Sequence, residues 1–250
     1  MSKLMAALEK AFTKLRRKSV SIAIFNKYDG VVQRGPFKGL KINGNANTSR
    51  GTLGGKVLGV YEPEVMQEIA DLGPFEDVVN FGAADGYFSL GVLIGGLAKR
   101  SIAFEMTQKG REAVKDNAIQ NGILEKVVIR GIADDSVGPQ LEELQYKPET
   151  GLLLCDIEGA EFSVLSEKML NDLKGTTIII ELHDRMMKEG LSLRKALIAR
   201  LPKGAKHRIL TSKPTQWVGI PDIEVMSDND RALICSEGRK VLGEWLIITY

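Results

Sequence analysis

The chain has 250 residues and a mass of 27.4 kDa. It is 44% hydrophobic and 26% charged, with a net charge of +2, the make-up of a globular protein large enough to bury a full core. That excludes a disordered chain, a collagen-like repeat and a disulfide scaffold, and no apolar run approaches the roughly 20 residues that a membrane span needs.

No secretory signal is visible at the charged N-terminus. Cys155 and Cys235 each sit in an apolar stretch and form no CxxC pair. Buried, reduced thiols in a cytoplasmic protein are therefore expected, without structural zinc. The charge is uneven. Residues 1–60 hold 12 Lys/Arg against Glu9 and Asp29, a balance of +10, while the remaining 22 Lys/Arg and 30 acids give −8. A basic head sits on an acidic body.

Residues 2–18 read as an amphipathic helix, because Leu4, Leu8, Phe12 and Leu15 recur at helical spacing with Lys3, Lys10, Lys14 and Arg17 elsewhere on the wheel. Its apolar stripe is expected to pack on the body or on a second copy of the chain, which makes a homo-oligomer one expectation. Recruitment of an acidic substrate, RNA or an anionic membrane surface by the basic face is the competing one. Ser19–Phe25 alternate loosely and suggest a strand. Residues 26–58, rich in Gly, Asn, Lys and Arg, read as loop, with a mobile lid as one use. The chain thus divides into a basic lead-in, 1–58, and a main domain, 59–250.

From Tyr61 a helix starts, with Pro63 in its first turn. Short apolar runs then alternate with helical patterns. Strands are predicted at Asp77–Phe81, Ser101–Phe104, Lys126–Arg130, Gly151–Asp156 and Thr176–His183, with helices near 86–98, 107–121, 160–173 and 190–201. This alternation predicts a parallel sheet covered on both faces. His207–Thr211, Ala232–Ser236 and Trp245–Tyr250 read as strands of an antiparallel close.

The first strand runs into a glycine turn, Gly82-Ala-Ala-Asp85-Gly86-Tyr87, and then a helix. Glycine permits a sharp turn and close approach of a ligand, and the helix start offers free N–H groups. The second strand ends at Glu105, 23 residues after Gly82. An acid about 20 residues on, at that strand tip, is placed to hold ribose hydroxyls. The third glycine of the hydride-transfer fingerprint is missing, as is the Gly-Lys-Ser/Thr of a phosphate loop. A turn bearing Asp85 repels pyrophosphate and suits an adenosine with a cationic tail, which describes S-adenosylmethionine.

Later strand ends add polar groups. Asp134 either takes an adenine amine or is an ordinary loop acid. Asp156 and Glu158 lie at the edge where open α/β sheets bind ligands, with Glu161 serving the following helix start. His183, at the tip of strand five, is expected to face Asp156 and is a candidate general base.

These residues together resemble the FkbM-like class I S-adenosylmethionine-dependent methyltransferases. Val78–Tyr87, Ala103-Phe-Glu105, Asn121-Gly122, Asp156-Ile-Glu-Gly-Ala-Glu161 and Glu181-Leu-His183 carry the resemblance, with Tyr61-Glu62 as its lead-in. It covers about residues 60–185. It implies a Rossmann-like α/β fold with a seven-stranded, mostly parallel sheet whose last strand is antiparallel. It implies cofactor contacts at Gly82, Ala84, Asp85, Gly86, Tyr87, Glu105 and Asp134. The same cofactor set takes in Glu62, Asn80, Phe88, Met106, Ala133 and Asp156. Asn80 stands where many class I enzymes have an acid, so the resemblance implies either weaker binding of the cofactor's ammonium or a transfer of that role to Asp85.

The expected activity is O-methylation of a hydroxyl on a small molecule, sugar or glycan, in some cases anionic. Asp156 or His183 acts as base and Glu158 orients the acceptor. Nucleic acid is not favoured as acceptor, because no Asn/Asp-Pro-Pro-aromatic block or Pro-Cys nucleophile is present. No metal is expected, although Asp156, His183 and Asp184 can converge on a hard cation. A non-catalytic scaffold on the same fold, a methyltransferase acting on RNA or protein, and a nicotinamide oxidoreductase are the alternatives.

Overall fold

The structure is a computed structural model that describes residues 3–44, 49–239 and 241–250. Its elements run α1 (Lys3–Lys27), α2 (Leu53–Leu58), α3 (Pro63–Leu72), β1 (Phe75–Phe81), α4 (Tyr87–Ile94), β2 (Ala98–Phe104), α5 (Gln108–Gln120) and β3 (Val127–Arg130). There follow α6 (Val137–Glu143), β4 (Gly151–Cys155), α7 (Glu161–Val164), α8 (Glu167–Asp172), β5 (Thr177–Glu181), α9 (Gly190–Ala199), β6 (Lys206–Thr211), α10 (Pro221–Glu224), α11 (Asp228–Cys235) and β7 (Glu244–Thr249).

One seven-stranded sheet has the order β3-β2-β1-β4-β5-β7-β6. The first five strands pair in parallel, and β7 runs antiparallel to both β5 and β6. This is the sheet that the strand–helix alternation and the resemblance imply. The central strands are Val/Ile/Leu runs because both faces are covered. Side chains such as Val78, Leu152 and Ile179 point into one apolar core, and Val79, Leu153 and Ile178 into the other. The order reverses between β1 and β4, and the connections that leave their carboxyl ends run in opposite directions along the sheet, which is where open α/β sheets form a crevice.

Three expectations need correction. Ser19–Phe25 is not a strand but the second half of α1. Val20, Ser21 and Ile24 are buried, and this helical spacing docks them against α2, where the Ser21 hydroxyl accepts from the Gly54 N–H at 2.7 Å. Tertiary packing overrides the β-branched preference. Ala232–Ser236 is also helical: Ser227 caps α11 by accepting from Asp230 N, and α11 packs against α1. The predicted 160–173 helix breaks into α7 and α8.

The lead-in is more ordered than a loop. It contains α2 and an antiparallel bridge between Val31 and Lys41. Val32, Phe37, Leu40 and Val57 are buried in the same core as Val78 and Leu152. Residues 45–48 of its Gly/Asn-rich stretch, and Ser2 of the predicted first helix, lie outside the described residues. The stripe on the first half of α1 does not pack on the body: Leu4, Leu8, Phe12 and Leu15 are 58% to 71% exposed. No helix among the described residues is long and apolar enough to cross a membrane.

Candidate active site

The crevice between β1 and β4 opens on an inner cavity of about 60 Å³ lined by Asn80, Gly82–Asp85, Tyr87, Phe88, Asp156 and Glu181. Gly82 and Gly86 have φ of +84°. What Gly82 admits is protein backbone: a Cβ there would lie 1.9 Å from the Asp156 carbonyl oxygen. The glycine therefore lets the β4 terminus close onto the turn and brings Asp156 to it.

Asn80 is buried at the end of β1. Its Nδ2 donates to Ser89 Oγ at 2.9 Å, and its Oδ1 is buried with no hydrogen-bond partner. Asp156 Oδ1 is likewise buried and accepts no hydrogen bond. Buried polar atoms are nearly always satisfied, so two open acceptors lining one cavity mark a place for a donor-bearing or cationic group.

Asp85 does not face such a group in this structure. Its carboxylate takes Lys56 Nζ at 2.8 and 3.0 Å and the Tyr87 N–H at 3.2 Å. Lys56 also lies over the Tyr61 and Tyr87 rings. Glu105 is buried beside the turn. Oε2 accepts from Ala84 N at 3.0 Å, and Oε1 from Thr107 N and Oγ1 at 2.8 and 2.7 Å. A carboxylate has about four acceptor positions, and three of them are taken. Met106, next in sequence, is exposed, and Ala133 is buried. Asp134 is exposed and accepts from Ser136 N and Oγ, which holds its pKa below the usual carboxylate value. It does not line the cavity.

A second cavity of about 250 Å³ adjoins the first and shares Tyr61, Glu62, Asp156 and Glu181 with it. Here His183 stands at the tip of β5. Its Nδ1 lies 3.2 Å from Glu161 Oε1, which also accepts from the His183 N–H, while Oε2 accepts from Gly159 N. Glu161 is fully buried. Nε2 points the other way, 3.7 Å from Asp156 Oδ1 and 3.6 Å from Glu158 Oε2. The expected facing of His183 and Asp156 is present, and Glu158 joins them. Burial works against the imidazolium, but the Glu161 hydrogen bond and the charges of Glu181, Glu161 and Asp156 outweigh it and raise the His183 pKa to about 9.

The wall is acidic. Glu62, Glu181 and Glu237 converge on the Arg239 guanidinium. Burial, then the mutual repulsion of these acids, pushes Glu62 and Asp156 well above ordinary carboxylates. Burial opposes the charge of Arg239, yet the three glutamates hold its proton more firmly than usual. Such a site favours an incoming cation.

The ligand atoms of Asp156, Glu158 and His183 all lie within 4.8 Å of one another, close enough to share a metal ion. Asp184, expected in that group, is instead paired with Arg194 at 2.7 Å. Lys56, Glu237 and Arg239 come from remote segments and carry no signal in the sequence, while Glu181 belongs to the Glu181-Leu-His183 stretch without a role read for it. Glu161 was read only as a helix-start acid. Its position closing the Asp156–Glu161 block was the available signal.

No family model and no curated protein matches the chain. Solved structures do. The O-methyltransferase from Bacillus cereus, in complex with SAH, is 19% identical, with a TM-score of 0.51 over 78% of this chain and 80% of that one. Cofactor-bound Rv0187 from MTB is 15% identical, with a TM-score of 0.52 over 77% and 82%. The likeness shows that this chain has the Rossmann-like methyltransferase fold.

Proposed function

We propose that the protein is an S-adenosylmethionine-dependent methyltransferase, FkbM-like, acting on a hydroxyl. The observation that carries this is the pair of buried acceptors that take no hydrogen bond, Asn80 Oδ1 and Asp156 Oδ1, in one acid-walled cavity at the point where the sheet order reverses. The fold shared with the Bacillus cereus O-methyltransferase supports it. The residues fit the cofactor. Asn80 and the acidic wall suit its cationic end, and Glu105 retains an acceptor position for ribose. The inner cavity, about 60 Å³, takes only a small group, since whole-ligand pockets span about 300–1,000 Å³. The nucleoside belongs at the open rim of Glu105 and Met106. When bound, the cofactor supplies a methyl group on a sulfonium.

The protein's part is alignment and proton removal. Orientation of two reactants contributes up to about 7–11 kcal/mol, and a positioned base about 10²–10⁴-fold. Glu161 fixes the His183 ring through Nδ1, leaving Nε2 to take the acceptor's proton beside Asp156 and Glu158. With a pKa of about 9, His183 is mostly charged at neutral pH. Its free form grows as pH rises or as a cation enters the acidic wall. The free thiols of Cys155 and Cys235 fit a cytoplasmic setting.

A second reading, divalent-cation assistance, is favoured by the convergence of Asp156, Glu158 and His183. A cation there would polarise the acceptor oxygen.

The experiment is transfer of radiolabelled methyl from S-adenosylmethionine into fractionated cell extract. Label in a fraction with wild type and its loss with His183→Ala supports the proposal. No label in any fraction, with cofactor bound, overturns it in favour of a non-catalytic scaffold.

A further inference from the structure

The second cavity does not end at His183. It shares Glu237, Arg239, Val241, Leu242 and Gly243 with a cavity of about 520 Å³ in front of β7. That cavity shares Arg17 and Gly238 with a groove of about 690 Å³ along α1. The three lie in a row from the candidate reaction centre to the N-terminal helix, each sharing lining residues with the next.

Charge reverses along the row. The inner end carries Asp156, Glu158 and Glu181. The outer groove carries Lys10, Lys14, Arg17, Lys18 and Arg50 against a single acid, Glu9. Among the described residues none of these five cations has an ion-pair partner. Elsewhere α1 is compensated: Arg16 binds Asp230 through two nitrogens, and Lys27 pairs with Asp222. Among the described side chains of α1 the uncompensated charge therefore lies on the groove side. Arg17 stands where the groove meets the middle cavity. Its Nε is buried with no hydrogen-bond partner, and its Nη2 reaches only the Ser236 hydroxyl, at 3.3 Å. A buried guanidinium atom without an acceptor is costly and is the group best suited to a phosphate.

Lys10 to Lys18 cover about 12 Å of helix axis, a span for several anionic groups rather than one. Among the described residues no aromatic side chain lines the groove, so bases would find no stacking platform on them. We propose that the methyl acceptor is a phosphate-rich molecule. Its phosphates lie along Lys10, Lys14, Arg17 and Lys18, and its hydroxyl lies at Asp156 and His183. This rests on the methyltransferase reading for the inner end only. The phosphate groove stands on its own charges.

The test uses inorganic tripolyphosphate as probe, titrated calorimetrically into the full chain at low and at moderate salt, with S-adenosylhomocysteine titrated in parallel. Wild type is expected to bind tripolyphosphate at low salt and to lose affinity steeply as salt rises. The exposed double variant K14E/K18E is expected to bind at least ten-fold more weakly, and R17Q likewise. K99E, a surface charge change on β2 outside the groove, stays within two-fold. All variants keep wild-type affinity for S-adenosylhomocysteine. No binding of tripolyphosphate at low salt, or equal binding by K14E/K18E, overturns the proposal. So does an oligouridylate of equal charge binding a hundred-fold tighter, since that requires contacts to bases. If tripolyphosphate binds as expected and S-adenosylhomocysteine does not, the methyltransferase reading fails and the groove stands.

Discussion

Removing the charge of Lys56 isolates Asp85. The two side chains are 6% and 2% exposed and meet at 2.8 Å. Breaking a buried pair from one side leaves an uncompensated charge and costs about 3–5 kcal/mol. For a chain of this size each kcal/mol moves the melting temperature by about 2–4 °C, so Lys56→Met should lower it by roughly 6–20 °C. Asp85→Asn keeps an oxygen for the Tyr87 N–H and removes the charge. The double variant K56M/D85N should therefore lie within about 1 kcal/mol of wild type, because a buried pair replaced as a unit is often neutral. Thermal and urea denaturation of all four proteins give the coupling. Calorimetric titration with S-adenosylhomocysteine adds the functional arm: K56M/D85N should bind within about three-fold of wild type. If K56M alone costs under about 1 kcal/mol, or the two effects simply add, the pair is not what neutralises Asp85. If D85N abolishes binding while folded, Asp85 is a cofactor ligand.

Because the His183 pKa is raised to about 9, turnover with a saturating acceptor should climb with pH and level off at or below about pH 9, and His183→Gln should flatten the climb. The same shift bears on stability. A histidine with a raised folded pKa contributes fully below its unfolded value of about 6.5, and that contribution is lost as pH rises through about 9, so the melting temperatures of wild type and H183Q should converge at alkaline pH. Gly82→Ala places a Cβ 1.9 Å from the Asp156 carbonyl at a φ of +84°. The left-handed backbone alone costs about 1–2 kcal/mol, and S-adenosylhomocysteine affinity should fall at least ten-fold as β4 is pushed away. If a divalent cation is used, manganese should bind with a tight dissociation constant in wild type and at least thirty-fold more weakly in D156N. EDTA should then stop methyl transfer until magnesium is restored, and activity unchanged in EDTA would remove this reading.

The parallel half of the sheet was legible because each strand is a continuous apolar run bounded by turns, and the ends of those runs located Asn80, Glu105, Asp156 and His183. Two short stretches, of seven and five residues, are helical where their sequence suggests strand, for one reason. Ser19–Phe25 and Ala232–Ser236 are short and apolar with no decisive period, and contacts between α1, α2 and α11 make them helical. The electrostatic frame was not legible at all. Lys56 is 29 positions from Asp85, and Arg239 is 58 and 177 positions from Glu181 and Glu62, and sequence spacing carries no signal for pairs joined only by the fold. Asp85 shows the consequence. Its acidity was readable, but the cation that satisfies it was expected from the ligand and comes from the chain itself.

Whether the crevice holds S-adenosylmethionine is decided by calorimetric titration of the intact protein with S-adenosylmethionine, S-adenosylhomocysteine and NAD. Micromolar binding of both adenosyl ligands, at least ten-fold weakening by Glu105→Ala, and no binding of NAD are expected. Absence of binding by either adenosyl ligand, or preference for NAD, would contradict this cofactor assignment.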